Sequence, residues 1–379
     1  MAKTVLPSGD PAATPSTGLR ARLLTWYREN KRDLPWRRTR DPYAIWLSEI
    51  MLQQTRVDTA IPYYERFLSD YPTVHALAEA PLDDVLTKWS GLGYYRRART
   101  LHAAAQQVAT ERAGVFPEGA AELREIKGIG PYTAGAVSSI AFDRPAALVD
   151  GNVARVYSRL FEVDDNLRSN AGMAKIWKIA EELVPNENPG DYNQALMELG
   201  ATICTPRAPR CLLCPVNASC RARASGREQE LPHLKAKAAS KNWKRLAVVL
   251  TRGNEILLTR RRGDRLFGGM WEPPAVDGDA EDDVALKSFE ALLGVKNVKY
   301  TQKNPVKHVL SHRKMLVTVF VAEAHILKFS ESDEYDAAQW LEVSALDAIP
   351  VSTLCRKVLV AAGVTTSLRS PSARPKRGT

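Results

Sequence analysis

The hydrophobic period changes once along this 379-residue chain, and the change dictates a two-part architecture. From Leu19 to about Val216 apolar residues recur at helical spacing, broken at Pro72, Pro81, Gly91, Gly114 to Pro117, Gly128 to Pro131 and Pro185 to Pro189. Beyond Lys244 the apolar runs are short and β-rich: Leu246 to Thr251, Glu255 to Arg260, Val309 to Leu310 and Met315 to Ala322. Helical stretches interrupt them at Asp282 to Leu293 and Ser352 to Ala362. The expectation is therefore multidomain: an all-α domain over 19–225, a charged, aperiodic linker over 226–244, and an α+β domain over 245–365. Residues 1–18, rich in Ala, Pro, Ser and Thr, read as a disordered lead-in, and 366–379 as a basic tail.

Charge narrows the class of partner. The chain carries a formal net charge of +10 with a pI near 9.3. From Cys204 through Arg245 there are ten Lys or Arg against Glu228 and Glu230 alone. Basic charge concentrated in this way suits a polyanion, because each cation on a phosphate releases condensed counterions. No apolar run is long enough for a signal peptide or a membrane span. The amino-terminal segment is poor in Arg and resembles no transit peptide, so an intracellular protein of the bacterial cytoplasm is expected, acting as a monomer.

Four of the five cysteines fall within 17 residues, as Cys204-x6-Cys211-x2-Cys214-x5-Cys220. Zinc takes four thiolates tetrahedrally and a [4Fe–4S] cube also takes four cysteines, so the spacing leaves both open. Only one short C-x2-C step occurs, which spreads the sulfurs in favour of the larger cluster. Two disulfides are the bland alternative, disfavoured without a secretory segment. Cys355 lies far off and reads as an ordinary buried thiol.

Two carboxyl groups stand out in the helical part. Asp41 and Pro42 open a helix through Tyr43 to about Val57, on which Glu49 is flanked at helical spacing by Ile45, Trp46, Leu52 and Gln53. A glutamate there is either solvated or desolvated, and desolvation would raise its pKa toward that of a general acid. Asp150 precedes Gly151-Asn152 and a helix, so it reads as an N-cap, a position whose amide donors favour the ionised form. One proton donor and one lasting anion are what cleavage of a glycosidic bond requires. Between them Gly128-Ile129-Gly130-Pro131 separates two helical patterns. The glycines permit a tight hairpin, Pro131 suits the first position of a helix, and the exposed amides suit a phosphate; a plain helix connector would look the same.

Taken together, LPWR at Leu34 to Arg37, SEIMLQQT at Ser48 to Thr55, GLGYY at Gly91 to Tyr95, KGIGPYTAGA at Lys127 to Ala136 and LVDGNVARV at Leu148 to Val156, followed by the four cysteines, resemble the helix-hairpin-helix DNA glycosylases. Within these, the chain is similar to the MutY-type adenine DNA glycosylases over nearly its whole length. The resemblance implies base-excision repair of duplex DNA: adenine opposite 8-oxoguanine or guanine is flipped out and its glycosidic bond hydrolysed to leave an abasic site. It implies a [4Fe–4S] cluster on Cys204, Cys211, Cys214 and Cys220. It implies that Glu49 protonates adenine and that Asp150 stabilises the oxocarbenium ion, transiently bonding to it in the family's scheme. Tyr132 and Asn152 would orient Asp150 and the water, Arg37 and Gln194 would line the adenine pocket, and Gln54, Thr55, Leu92, Tyr94, Gly128 and Gly130 would meet the DNA.

The last part resembles the family's Nudix-like module, which implies reading of 8-oxoguanine through Ser311 and His312. Leu310 stands where the family often has an aromatic residue. Val284 to Leu293 carries Glu290 but no adjacent acidic pair for Mg2+, so nucleotide hydrolysis is not expected. Two other readings stay open: an endonuclease III-like glycosylase-lyase, against which stands Tyr132 at the position of that group's Schiff-base lysine, and a non-catalytic lesion-binding iron–sulfur protein. A replication or repair partner would bind the linker.

Overall fold

In a computed structural model of the chain, residues 15–234, 240–278, 282–295, 298–310, 313–324 and 329–364 are described. Helices fill the first part: α1 (Pro15–Asn30), α2 (Pro42–Leu52), α3 (Val57–Asp70), α4 (Val74–Glu79), α5 (Leu82–Trp89), α6 (Arg96–Glu111), α7 (Ala120–Leu123), α8 (Pro131–Phe142), α9 (Gly151–Leu160), α10 (Asn170–Leu183), α11 (Pro189–Thr202) and α12 (Arg221–Ala224). The second part is mixed: β1 (Lys241–Arg252), β2 (Glu255–Arg261), β3 (Trp271–Glu272), β4 (Ala275–Asp277), α13 (Asp282–Leu293), β5 (Thr301–Leu310), β6 (Arg313–Glu323), β7 (Tyr335–Glu342) and α14 (Thr353–Ala361). An all-α part followed by an α+β part is thus what forms.

Several boundaries differ from expectation, for physical reasons. The stretch read as linker already holds the first third of β1, and β5 begins well before Val309. Neither segment alternates on its own account. β1 is specified by its parallel partner β6, from Lys241 opposite Arg313 to Thr251 opposite Glu323, and β5 by the antiparallel ladder on the other side of β6. α2 stops at Leu52 rather than near Val57, since Gln54 takes a left-handed φ of 57°. α1 begins at Pro15, inside the segment read as a tail.

The chain packs as two compact units. Among the described residues, one is drawn from 15–54 and 107–234, the other from 55–106 and those from 240 to 364. In the first, α2 packs on α8, while α11 is shared by α1, α8 and α9. Small residues set how close these helices come: a Cβ on Gly190 of α11 would stand 2.5 Å from the Ser139 carbonyl oxygen of α8.

In the second unit a sheet of order β3-β2-β1-β6-β5, with β4 also on β1 and β7 on β2, is buried on both faces. Ala247 and Val249 of β1 face a core with Leu354, Val358 and Leu359 of α14. Leu246, Val248 and Leu250 face one with Ala285, Phe289 and Leu293 of α13. Cys355 is buried on the α14 side. Helices α3, α4 and α5, and α6 as far as Gln106, belong to this unit: Tyr95 meets Phe267 at 6.5 Å between ring centroids, and the Arg99 guanidinium donates to the Gly268 carbonyl.

Candidate active site

Residues 43–51 of α2 are all buried, so helical spacing leaves Glu49 no solvent face and its exposure is 4%. The helix is fixed at its start by Pro42 and by Asp41, whose Oδ1 accepts from the Tyr43 amide at 3.0 Å. Burial pushes the Glu49 pKa up to about 7. A hydrogen bond from the Tyr132 hydroxyl to Oε2 and the charge of Arg37 pull it down; the charge of Asp150 adds to the rise.

Tyr132 is delivered by the hairpin. Gly128 has φ of 78°, Gly130 is the extended N-cap residue and Pro131 begins α8, so Tyr132 is the second residue of that helix. Its hydroxyl also lies 3.6 Å from Met197 Sδ on α11.

Asp150 caps α9: Oδ1 accepts from the Val153 amide at 2.7 Å and Oδ2 from Asn152 Nδ2 at 2.9 Å. The cap is as read from the sequence, but the depressed pKa is not. Burial raises the Asp150 pKa, and the Val153 and Asn152 donors and Arg155 restrain the rise without reversing it. The donors were legible in the sequence; the depth at which the cap sits was not.

Two further groups hold these residues and were missed. Arg155 donates Nη2 to Asn152 Oδ1 and to the Gly200 carbonyl, and Nε to the Cys204 carbonyl, each at 2.8 Å. Thus the amide that braces Asp150 is itself gripped by a guanidinium tied to the end of α11 and to the first cysteine. The available signal was an arginine within Val153–Leu160, every residue of which is buried. Glu198 of α11, fully buried, accepts from Arg37 Nη2 at 2.7 Å and from Arg32 Nε and Nη2 at 2.8 Å each. Its signal was a glutamate one helical turn beyond Gln194, on the same face. Gln194 itself is half-buried.

Glu49, Tyr132, Asp150 and Asn152 are therefore brought together by α2, α8 and α9. Gln54 sits in its left-handed turn after α2; Tyr94, with φ of 50°, is 42% exposed, whereas Leu92 is buried. Thr55 Oγ1 accepts from Arg97 Nη2 at 3.0 Å, and that guanidinium stacks 5.2 Å from the Tyr94 ring centroid. Ser311 and His312 lie outside the described residues, beyond the Leu310–Arg313 pair that flanks them.

No disulfide joins any of the five cysteines. Burial raises the pKa of Cys211, Cys214 and Cys220, and Cys204 raises each of them further, so the four sulfurs share one neighbourhood. Among the described residues no three His, Cys, Asp or Glu side chains are grouped closely enough to hold a single metal ion. The donor set is four soft sulfurs in one neighbourhood, the chemistry that a thiolate-ligated metal centre takes. Arg159 Nη1, donating to Cys204 Sγ at 3.3 Å, is placed to stabilise thiolate charge.

A hairpin that opens a helix beside a near-neutral acid and a capping aspartate defines the class, the helix-hairpin-helix base-excision glycosylases. Residues 47–182 match the model of the HhH-GPD superfamily base excision DNA repair proteins, and 245–361 that of the NUDIX domain. The adenine DNA glycosylase of Rattus norvegicus is 35% identical over 399 residues, covering 90% of this chain and 77% of the relative. That of Arabidopsis thaliana is 39% identical over 309 residues, covering 71% of this chain and 49% of the relative. The chain belongs to the adenine DNA glycosylase family. A solved structure described as a thermostable thymine-DNA glycosylase aligns with a TM-score of 0.51 and 31% identity, over 55% of this chain and 97% of that one. Relatives come from plants, mammals, yeast and bacteria, so membership does not single out the bacterial origin expected from the amino-terminal segment. Among the described residues no helix is long and apolar enough to cross a membrane.

Proposed function

We propose that the chain removes adenine paired with 8-oxoguanine, or with guanine, from duplex DNA by hydrolysing its N-glycosidic bond. The observation that carries this reading is Glu49, a carboxyl at 4% exposure with a pKa near 7, which therefore still holds a proton to give at neutral pH. Adenine would enter flipped out of the stack. Because Tyr132 donates to Oε2, Oε1 is the oxygen left to pass the proton to ring nitrogen N7. The bond from C1′ to the base then breaks with its electron pair going to adenine, and the sugar becomes an oxocarbenium ion. Asp150, braced by Asn152 and the Val153 amide, stabilises that cation in its ionised form. Water adds to C1′ on the face the base has left, and its proton returns to Glu49.

A phenol cannot form an imine, so with Tyr132 in place of a lysine the reaction stops at the abasic site. Borohydride should trap no crosslink to DNA at catalytic yield; efficient trapping would point to a lyase. Cys204, Cys211, Cys214 and Cys220 would hold a [4Fe–4S] cluster, which when bound cross-links the basic loop. Iron and acid-labile sulfide assays should find four of each per chain, and Cys214→Ser should lose them. The Nudix-like part would read 8-oxoguanine through Ser311 and His312; either alanine variant should narrow the preference for 8-oxoguanine over guanine, and undiminished preference would place lesion reading elsewhere.

The deciding measurement is single-turnover release of adenine from an adenine:8-oxoguanine duplex. Glu49→Gln and Asp150→Asn should each lower the rate by at least roughly 10²–10⁴-fold, the range of general acid–base and charge stabilisation, with duplex affinity kept. Excision that survives either change would remove that residue from the mechanism.

A further inference from the structure

Glu198 makes no hydrogen bond to the Glu49–Tyr132 pair or to Asp150, yet its carboxylate is saturated with arginine. Oε1 accepts from Arg32 Nε at 2.8 Å and from the Arg32 amide at 3.2 Å; Oε2 accepts from Arg32 Nη2 at 2.8 Å and Arg37 Nη2 at 2.7 Å. Arg37 is pinned a second time, Nη1 donating to the Arg32 carbonyl at 3.0 Å, and a third, over the Tyr27 ring at 5.5 Å. A guanidinium held at three points has one position. The charge of that guanidinium reaches Glu49, where it works against burial. Two cations on one carboxylate leave an excess positive charge, and it is the site's acid that feels it.

We propose that Glu198 is a positioning residue of the excision site: it fixes the Arg37 guanidinium and offsets its charge, so that the field at Glu49 is set by the clamp. This rests on the reading of Glu49 as the proton donor. The groups that face Glu49 are Tyr132 from α8, Asp150 at the start of α9 and Arg37. Those that face the clamp are Arg32, Tyr27 of α1 and Asp191 of α11. Burial alone would raise the Glu198 pKa, but Arg32 and Arg37 outweigh it and hold it at about 2, so the clamp keeps its charge throughout the working pH range.

The two halves of the clamp act on Glu49 with opposite sign. Excision needs protonated Glu49, so the rate falls as pH rises through its pKa. Glu198→Gln removes the offsetting charge, leaves Arg37 bare, lowers the Glu49 pKa and moves the alkaline limb of the pH–rate profile to lower pH. Arg37→Gln removes the cation while Arg32 still pairs with Glu198, and moves the limb to higher pH. Each displacement should be roughly 0.5–1 pH unit, the lower end of what a nearby charge does to a carboxyl.

The test is the single-turnover pH–rate profile of the full-length, cluster-loaded protein and both variants, with melting temperature as a check on folding. A merely structural role would lower melting temperature and rate but leave the limb in place. Limbs that stay put in both folded variants, or that move in the same direction, overturn the proposal. If Glu198→Gln does not fold, Arg37→Gln decides alone: an unmoved limb overturns it, an upward one supports it. Glu49→Gln is measured alongside, because excision retained there would sink the proton-donor reading itself, an outcome separate from any limb displacement.

Discussion

A carboxyl that the fold holds near pH 7 binds its proton more tightly in the folded chain than in the unfolded one, and that linkage works against the native state as pH rises. For Glu49 the folded pKa of about 7 stands above the ordinary 4.5. The two states are equally protonated below the lower value; the penalty grows between the two and is complete above the higher, at about 3 kcal/mol from the pKa difference. Glu49→Gln should therefore be more stable than the parent at pH 8 and lose that advantage as pH falls to 4.5, a trend that thermal melting across pH would show or refute. Single-turnover excision in the parent should decline above pH 7 for the same reason. Asp150→Asn keeps the cap on the Val153 amide but leaves Asn152 Nδ2 without its acceptor, and should cost about 1–3 kcal/mol in thermal melting. At this scale the sequence was informative wherever a residue was anomalous in its own element. Glu49 stood among apolar neighbours, and Asp150 stood before a helix. The sequence was silent where the property belonged to distant neighbours, as with the depth that lifts the Asp150 pKa and the arginines that converge on Glu198.

Elements are placed by small residues and by buried charge. A Cβ on Gly200 of α11 would stand 2.6 Å from the Asn152 Cβ and 3.1 Å from its Cα and carbonyl carbon, none of which can yield cheaply. Gly200→Ala should push the first turn of α9 away, costing about 1–3 kcal/mol of stability by overpacking and at least roughly tenfold in excision through Asn152 and Asp150. Normal excision with an unchanged melting temperature would show that α9 accommodates the methyl group. In the sheet, Glu272 Oε1 accepts from Arg261 Nε at 2.7 Å and from the Tyr335 hydroxyl at 3.1 Å, and pairs with Arg245; all three charged side chains are at most 5% exposed. Glu272→Gln removes the carboxylate that Arg245 and Arg261 share, but Asp277 still pairs with both and Glu334 with Arg261, so it should cost about 1–3 kcal/mol in denaturant unfolding of the full chain. The helices were legible because their apolar residues recur at helical spacing between Pro and Gly breaks. Half of β1, most of β5 and all of β7 were not, since charged or weakly alternating residues there become strand only against a partner.

For the molecule as a whole, the +10 charge and the basic run around the cysteines predict a steep fall of duplex affinity with salt. Arg207 is exposed in that run, and Arg207→Gln should flatten the plot of log affinity against log salt by about 0.9 if it sits on a phosphate. An unchanged slope would take it off the DNA. Fully buried Arg159 makes one more property of the chain measurable. The guanidinium that touches Cys204 Sγ also holds the Thr205 carbonyl at 2.7 Å and, through Nε, the Leu231 carbonyl at 2.8 Å, while the Leu167 amide holds His233. The stretch on which the chain leaves its helical body is thus sewn to the cysteine loop through the Arg159 side chain. If the four cysteines hold iron as proposed, stripping it should slacken that seam, and trypsin should then cut after Arg227 faster than in the loaded protein, so a gel lane becomes a gauge of cofactor occupancy.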